Sequence, residues 1–480
     1  MKSFHISLSC SSAVAAMTLC LAMSAQASDI KLPEFSRHSL ANGATVLLMP
    51  KHDVPLIALD ITLRGGASQE PARLAGVSSI LADLMQKGAG ERDARDYAAA
   101  IDAVGGRIEV AAGRHALSLS AEFLAKDAEL MLQLAADTLR RPKLDQAEFD
   151  KVRTRALQSL KAAKDSGPDR LIGNYGQAWL FADHPYGQPL DGSEGSVANI
   201  SYADVTSLMN QQVGGDRAII AVVGDFESKQ MLAAVERHFA DWQPAKGELR
   251  PIPPPPSAGS ARVLLIDKPD ATQTYFWLGN LGPSIDDPAR DAQDLVRTVF
   301  GGRFTSMLNT ELRVKSGLTY GARASLDRLR NTGVANIVSF TRTEATEQAL
   351  DLALDTLGKL HNNGIDAATL ESGRNYMLGQ FAPQLETSMQ LADQLGSLEL
   401  YGQGREEIDQ FAERLRAVDV AAANQASAVF APADRLAIVL IGKAEAIREI
   451  AKKYGPVSEM PITAPHYRPQ ADAGRQPSAM

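Results

Sequence analysis

DRAIIAVVG at Asp216–Gly224 returns as DRLAIVLIG at Asp434–Gly442, 218 residues further along the chain. Each copy begins with an Asp-Arg pair, continues as a short apolar run and ends at a glycine. A short apolar run that stops at a glycine is typical of a fully buried strand. The repeat therefore predicts one such strand in each half of the chain.

Two further pairs of segments repeat in the same order. GGASQEPAR at Gly65–Arg73 matches GPSIDDPAR at Gly282–Arg290, and LAADTL at Leu134–Leu139 matches LALDTL at Leu352–Leu357. Their separations of 217 and 218 residues agree with the first pair. Three matches at nearly one separation indicate a duplicated domain, since solenoid repeats are much shorter.

A proline-rich stretch, RPIPPPPS at 250–257, lies between the two copies. Consecutive prolines cannot donate ladder hydrogen bonds and favour an extended, semi-rigid spacer. The polar, proline-containing C-terminus is typical of disorder. We therefore predict an N-terminal domain at 28–248, a linker at 249–261, a C-terminal domain at 262–464 and a disordered tail at 465–480.

The first copy mixes strand and helix patterns. Strands are predicted at Ala44–Leu48, Leu56–Leu63 and Ala218–Val223, a hairpin within Arg107–Phe123, and helices at Leu74–Met85, Ala94–Val104, Ala128–Leu139 and Gln146–Ala163. Hairpins followed by runs of helices favour a sheet with helices on one face. The predicted fold class is α+β, with two homologous α/β sandwich halves joined by the proline-rich linker.

The N-terminus has the pattern of a secretory signal peptide at 1–27. Lys2 is followed by an apolar run at Ala13–Met23 and by the small residues Ala25-Gln26-Ala27, which predict cleavage after Ala27. The run is shorter than the ~20 residues of a spanning helix, although an uncleaved anchor remains an alternative. No later stretch predicts a membrane span, and we expect the protein in the periplasm.

Charge and cysteine content exclude several classes of protein. The 480 residues carry a net charge of −8, whereas nucleic-acid binding calls for a basic face. Both cysteines, Cys10 and Cys20, lie in the predicted signal peptide. Disulfides and thiolate metal ligands are therefore excluded from the mature chain.

Three segments resemble the insulinase/pitrilysin-type zinc peptidases, in the branch similar to mitochondrial processing peptidase. They are Leu40–Gly90, with its NG turn and GGASQEP loop, HPYGQPLDG at His184–Gly192, and GGRFTSMLNTELRVKSGLTYGA at Gly301–Ala322. The third segment is the most specific. The resemblance covers nearly the whole mature chain and implies the two-halved fold predicted above.

The resemblance breaks at the zinc motif. Active members carry H-x-x-E-H on a helix, with two zinc ligands and a general base, and a third ligand roughly 75 residues on. The matching positions here are Ser79, Ala82 and Asp83, and the third falls near Ser159. One carboxylate without partners would not hold zinc. The resemblance thus implies no metal or other cofactor in this chain, with zinc expected in a partner chain.

The family includes paired chains in which the one without the zinc motif supplies an Arg and a Tyr to hold the substrate. The matching residues are Arg313 and Tyr320, with Gly301 and Gly302 allowing close backbone approach. A guanidinium offers forked donors to a peptide carbonyl, and a phenol can donate to a developing oxyanion. We expect Gly317 to end the helix of Arg313 and Tyr320 to begin a strand. Without the resemblance, the two residues fit a solvated arginine and a tyrosine with a buried ring.

The resemblance implies a non-catalytic, substrate-gripping subunit of a periplasmic heterodimeric zinc metallopeptidase. Its partners would be a zinc-motif-bearing homologous subunit and peptide substrates. A non-proteolytic binding or scaffold protein of the same fold is the first alternative. A peptidase that is active alone, through a metal site assembled from distant residues, is the second.

Overall fold

The computed structural model describes residues 30–257 and 259–469. The predicted signal peptide, Ala258 of the predicted linker and residues 470–480 of the predicted tail lie outside the described residues. Within the described ranges, no helix combines the length and the hydropathy that crossing a bilayer requires.

The first half alternates strands and helices. Its strands are β1 (Ser36–Ser39), β2 (Thr45–Pro50), β3 (Leu56–Arg64), β4 (Gly88–Ala89), β5 (Arg92–Asp93), β6 (Arg107–Ala112), β7 (Ala116–Leu124) and β8 (Ala218–Gly224). Its helices are α1 (Val77–Met85), α2 (Ala94–Asp102), α3 (Ala128–Arg140), α4 (Gln146–Ser166), α5 (Ile172–Phe181), α6 (Glu194–Ala198), α7 (Tyr202–Gln212) and α8 (Ser228–Phe239). Every predicted strand and helix is present, with ends shifted by a few residues.

The second half repeats this order. Its strands are β9 (Arg262–Asp267), β10 (Gln273–Gly282), β11 (Ala322–Arg328), β12 (Gly333–Arg342), β13 (Ala437–Gly442) and β14 (Val457–Pro461). Its helices are α9 (Arg290–Arg297), α10 (Met307–Asn309), α11 (Thr346–Asn363), α12 (Ala367–Phe381), α13 (Ser388–Tyr401), α14 (Glu406–Asp409), α15 (Phe411–Ala417), α16 (Val420–Ala426) and α17 (Ala444–Ala451). Two π-helical segments, Thr298–Gly302 and Thr310–Lys315, flank α10.

Each half builds one six-stranded sheet. The strand order is β1-β2-β8-β3-β7-β6 in the first half and β14-β9-β13-β10-β12-β11 in the second. Strand β8 runs parallel to β2 and antiparallel to β3, and β13 pairs in the same way with β9 and β10. The two sheets thus share one topology, apart from the edge strands β1 and β14, and the predicted fold class is confirmed.

The second face of each sheet is covered by a helix from the other half. Helix α5 packs on β10 and β13, and α13, at the corresponding position of the second copy, packs on β3 and β8. The sequence predicted helices on one face only. In β8, alternate residues face two different cores, one of them shared with α13. A strand that is apolar on both faces must be covered on both, and the exchanged helices provide that cover.

Glycines let the exchanged helices approach the sheets closely. A Cβ at Gly176 of α5 would lie 2.5 Å from ring atoms of Trp277, and a Cβ at Gly396 of α13 would lie 2.5 Å from a carboxylate oxygen of Asp60. Thr62 donates a hydrogen bond of 2.7 Å to Asp60, and burial raises the pKa of this carboxyl to about 7. Each helix therefore sits against its sheet at a distance that a larger residue would not allow.

A histidine joins the two halves at their boundary. The ring of His115, directly before β7, makes hydrogen bonds of 2.9 Å to the hydroxyl of Tyr401 and 2.8 Å to that of Tyr186. Burial, together with the charges of Arg330 and Arg114, lowers the pKa of His115 to about 4. The neutral ring then donates through one nitrogen and accepts through the other.

The predicted start of the disordered tail at residue 465 is wrong. Tyr467 is buried and contacts the ring of Tyr175 edge-on. Lys164 donates a hydrogen bond of 2.6 Å to the carbonyl oxygen of Ala464, and the Gly195 amide donates to that of Pro465. The segment is polar in composition, but it contains the aromatic residue Tyr467. The burial of Tyr467 holds this part of the chain against the first half.

The close contact at Gly176 predicts the effect of adding one methyl group. Gly176→Ala should lower the free energy of unfolding by about 1–3 kcal/mol, because the Trp277 ring must move within a packed core. Gly173→Ala on the same helix is the matched control, since its Cβ would have no neighbour within 4 Å. That change should be neutral or slightly stabilising. Chemical denaturation measures both, and equal losses would contradict the helix exchange.

The neutral His115 predicts a loss of stability in mild acid. The unfolded chain takes up a proton below pH 6.5 and the folded chain only near pH 4, so stability falls as pH drops through this window. His115→Gln should reduce that dependence by at most about 1.4 kcal/mol per pH unit. The exposed His52 is the control, because its hydrogen bond to Asp225 raises its pKa and its pH dependence therefore has the opposite sign. The loss of folding stability caused by His52→Gln should become smaller as pH rises.

Candidate functional site

The helix that matches the zinc helix of the resemblance begins at a fixed turn. Gly76 adopts the left-handed conformation before α1, at φ +95°. The buried carboxylate of Glu70 accepts hydrogen bonds of 2.8 Å from the Gly76 amide and 2.7 Å from the Ser78 amide. These bonds satisfy amides that a helix start leaves free. The position and direction of α1 are therefore well determined.

The side chains at the zinc positions do not form a metal site. The hydroxyl of Ser79 donates a hydrogen bond of 2.9 Å to the carbonyl oxygen of Leu190. Ala82 is buried, and Asp83 is exposed. Ser159 is exposed on α4, which packs against α1. These residues do not fit a zinc ion, and in the described parts of the chain no three His, Cys, Asp or Glu residues group as metal ligands.

Arg313 lies on the exposed side of a segment with a buried base. It belongs to the π-helical segment Thr310–Lys315, in which the neighbouring Leu312 is fully buried. Gly317 has φ +64°, and its amide donates to the carbonyl oxygen of Arg313 at 3.1 Å. The expected helix end at Gly317 is thus present. The guanidinium of Arg313 lies 4.8 Å from the centre of the Phe304 ring.

Tyr320 is 79% exposed, which excludes a buried strand aromatic. The next strand begins at Ala322, so the expectation that Tyr320 starts it was wrong by two residues. The hydroxyl of Thr319 accepts a hydrogen bond of 3.1 Å from the Gly321 amide, and Ser339 donates to the carbonyl oxygen of Gly321 at 2.9 Å. These bonds hold Tyr320 in a bend that points away from the core.

The glycine pair lets the segment approach β11. A Cβ at Gly301 would lie 2.4 Å from the backbone nitrogen of Ala324. Gly301, Gly302 and Phe304 line an open cavity of about 540 Å³ together with Gly321. The guanidinium of Arg313 stacks on the ring of Phe304, which lines this cavity. Tyr320 is the residue before Gly321, which also lines it. The four residues singled out in the second half therefore belong to one surface.

Several aromatic residues of this surface escaped the sequence analysis. Phe304 and Tyr376 are 59% and 42% exposed, and the rings of Tyr275 and Phe340 stack at 5.2 Å between centres. All four line the cavity. Phe304 follows the matched glycines, and an aromatic residue in that polar stretch was a usable signal. The other three come from β10, β12 and α12, and only the fold brings them together.

Chemically, the surface offers hydrogen-bond donors beside aromatic area. The forked guanidinium of Arg313 suits a carbonyl or carboxylate, and the phenol of Tyr320 can donate one hydrogen bond. Exposed aromatic residues grouped around a cavity are typical of a binding surface. The arrangement can hold an extended peptide by its backbone and its apolar side chains.

Two family models match consecutive parts of the chain. Residues 45–193 match "Insulinase (Peptidase family M16)", and residues 199–377 match "Peptidase M16 inactive domain". An uncharacterized zinc protease of Mycobacterium leprae is 28% identical over 77% of this chain and 83% of its own length. One of Bacillus subtilis is 23% identical over 81% and 93%.

Solved structures share the fold. A peptidase M16 inactive domain from Pseudomonas fluorescens superposes with a TM-score of 0.79 at 23% identity, over 89% of this chain and 99% of its own. A protease from Helicobacter pylori gives 0.78 at 18% identity, over 86% and 100%. The two halves of the chain, their exchanged helices and the matched segments thus have one explanation: the chain belongs to the insulinase family of peptidases, M16.

Proposed function

We propose that this chain is a non-catalytic subunit that grips peptide substrates for a zinc-bearing homologous chain. The observation that carries the proposal is a contrast between the two halves. Ser79, Ala82 and Asp83 stand at the zinc positions of the first half, whereas Arg313 and Tyr320 are exposed on a well-fixed surface of the second.

The backbone under the two side chains is held from both ends. Leu312 and Leu318 are buried, and the amide of Leu318 donates to the carbonyl oxygen of Leu312 at 2.9 Å. Thr341 of β12 donates to the carbonyl oxygen of Leu318 at 2.8 Å. A binding loop that is ordered in advance loses less entropy when a ligand binds. This order supports a role in holding a substrate.

Exposed apolar side chains concentrate around the same loop. Among the described residues, Phe304, Val314 and Tyr320 are more than half exposed. Large apolar side chains left in water mark interaction surfaces when they are grouped. A peptide and a partner chain would both cover such a surface, which supports a heterodimer with the peptide between the subunits.

In this proposal the partner chain binds the zinc ion, and this chain supplies the hydrogen-bond donors of Arg313 and Tyr320. The relatives from M. leprae and B. subtilis carry the name zinc protease, so zinc-dependent members are the natural candidates for a partner. The signal-peptide pattern at 1–27 supports export, and we propose the periplasm as the place where the two chains meet.

Cleavage of a quenched fluorescent peptide tests the proposal directly. We expect no cleavage by this chain alone and cleavage when it is mixed with a zinc-motif M16 homologue from the same genome. Arg313→Ala and Tyr320→Phe should each lower kcat/KM of the mixture by roughly 10- to 100-fold, because each removes a hydrogen-bond donor to the reacting peptide.

Lys315→Ala is the matched control for this experiment. Lys315 is exposed on the segment of Arg313 and pairs with Glu311, so its loss removes a charge without removing the proposed grip. Chelator-sensitive cleavage by the pure chain would make it a peptidase in its own right. Silent Arg313→Ala and Tyr320→Phe changes in an active mixture would favour the scaffold function instead.

A further inference from the structure

The two halves differ in the route that the chain takes after their last helix. After α8, residues 240–250 cross the first half without forming a helix or strand. After α17, the chain instead adds β14 to the edge of the second sheet, parallel to β9. The fold is duplicated, but the crossing segment is not.

Backbone hydrogen bonds hold the crossing segment in the first half. The amide of Lys246 donates to the carbonyl oxygen of Asn210 at 3.0 Å, and that of Gly247 donates to the carbonyl oxygen of Gln211 at 3.1 Å. Asn210 and Gln211 lie in the last turn of α7. The segment therefore adds to the exposed end of this helix through its main chain.

The repeated Asp-Arg pair clamps the same segment. The carboxylate of Asp216 accepts a hydrogen bond of 2.7 Å from the Ala245 amide. The buried guanidinium of Arg217 donates to the carbonyl oxygens of Gln212 and Gly247. One acceptor and one cationic donor thus recognise an extended backbone, largely independently of its side chains.

The second half keeps the clamp without the segment. Asp434 and Arg435 correspond to Asp216 and Arg217 in the repeat. Both are exposed, and neither side chain makes a hydrogen bond or an ion pair with any described residue. The carboxylate and the guanidinium that correspond to this clamp are therefore not engaged by the described chain.

A groove lies next to this free clamp. Arg435 lines a cavity of about 910 Å³ together with Ala422, Ala428, Val429 and Pro283. Ala428 and Val429 correspond to the two residues of α7 that bind the crossing segment in the first half, although the carbonyl oxygen of Val429 already accepts a hydrogen bond of 2.9 Å from the side chain of Asn280. A volume of this size is in the range of ligand sites.

The same region is closed in the first half. Gly66 and Val213 correspond in the repeat to Pro283 and Ala431 of the groove. Together with Gln212 they line a cavity of only about 10 Å³. Leu249 of the crossing segment packs beside it, since a Cβ at Gly65 would lie 3.3 Å from the Leu249 side chain. In the first half, the crossing segment covers this region. In the second half, the described chain leaves the corresponding region open.

We propose that this groove binds an extended segment of a separate polypeptide, through the side-chain contacts that Asp216 and Arg217 make to residues 245–247 in the first half. Asp434 accepts from a backbone amide of the bound segment, and Arg435 donates to a carbonyl oxygen two residues further on. The groove shares no lining residue with the cavity of Gly301 and Phe304. The inference therefore does not depend on the proposed function.

The test uses the mature chain and a fluorescein-labelled peptide with the sequence of residues 242–250, WQPAKGELR. Fluorescence anisotropy should give saturable one-to-one binding. Arg435→Ala should weaken binding by about tenfold or more, because it removes a charged hydrogen bond. Ala422→Phe should do the same by filling the groove.

Ala421→Phe is the matched control. Ala421 is also exposed on α16 but does not line the groove, so binding should be retained. Absence of saturable binding, or undiminished affinity in Arg435→Ala and Ala422→Phe, would overturn the proposal. So would displacement of the probe by a peptide of residues 470–480, which would assign the groove to the chain's own C-terminus. Circular dichroism of each variant separates lost binding from lost folding.

Discussion

The apolar character of β8 and β13 on both faces is the constraint that determines the architecture. Alternate residues of β8 enter two separate cores, and the second core is completed by α13 of the other half. Leu391, Leu395 and Leu398 of α13 are at least 95% buried there. Each such side chain contributes about 1.5–3 kcal/mol, so together they approach the net stability of a typical domain, about 5–15 kcal/mol. Neither half is complete without the other.

This reciprocal packing also determines which surfaces of the chain remain accessible to ligands. Because both faces of each sheet are covered, binding surfaces are left to sheet edges, loops and helix ends. The segment of Arg313 and Tyr320 runs into the edge strand β11, and Gly301 rests against that strand. The groove beside Arg435 lies at the start of the buried strand β13. Both surfaces therefore stand on rigid elements, while Arg313, Tyr320 and Arg435 face solvent.

Duplication followed by divergence accounts for the asymmetry of the chain. The first half carries Ser79, Ala82 and Asp83 on α1, and residues 240–250 cross it beside α7. The second half keeps the Asp-Arg pair beside an open groove, and it exposes Arg313 and Tyr320. Since both halves share one topology, these differences arise from a few side chains and from one rerouted segment.

The sequence by itself determined the duplicated α+β fold, the strands β2, β3, β6, β7 and β8 with the repeated β13, and the helices α1 to α4. It could do so because strand and helix periodicity, turn glycines and motif spacing are local properties of the chain.

Only the tertiary structure decided which helix covers which sheet, since α5 and α13 carry no local mark of the half on which they pack. The same holds for the pairing of His115 with Tyr186 and Tyr401, the anchoring of Tyr467, and the aromatic walls beside Gly301. Each of these contacts joins residues distant in sequence, and their energies depend on burial and geometry that exist only once the two halves have closed on each other.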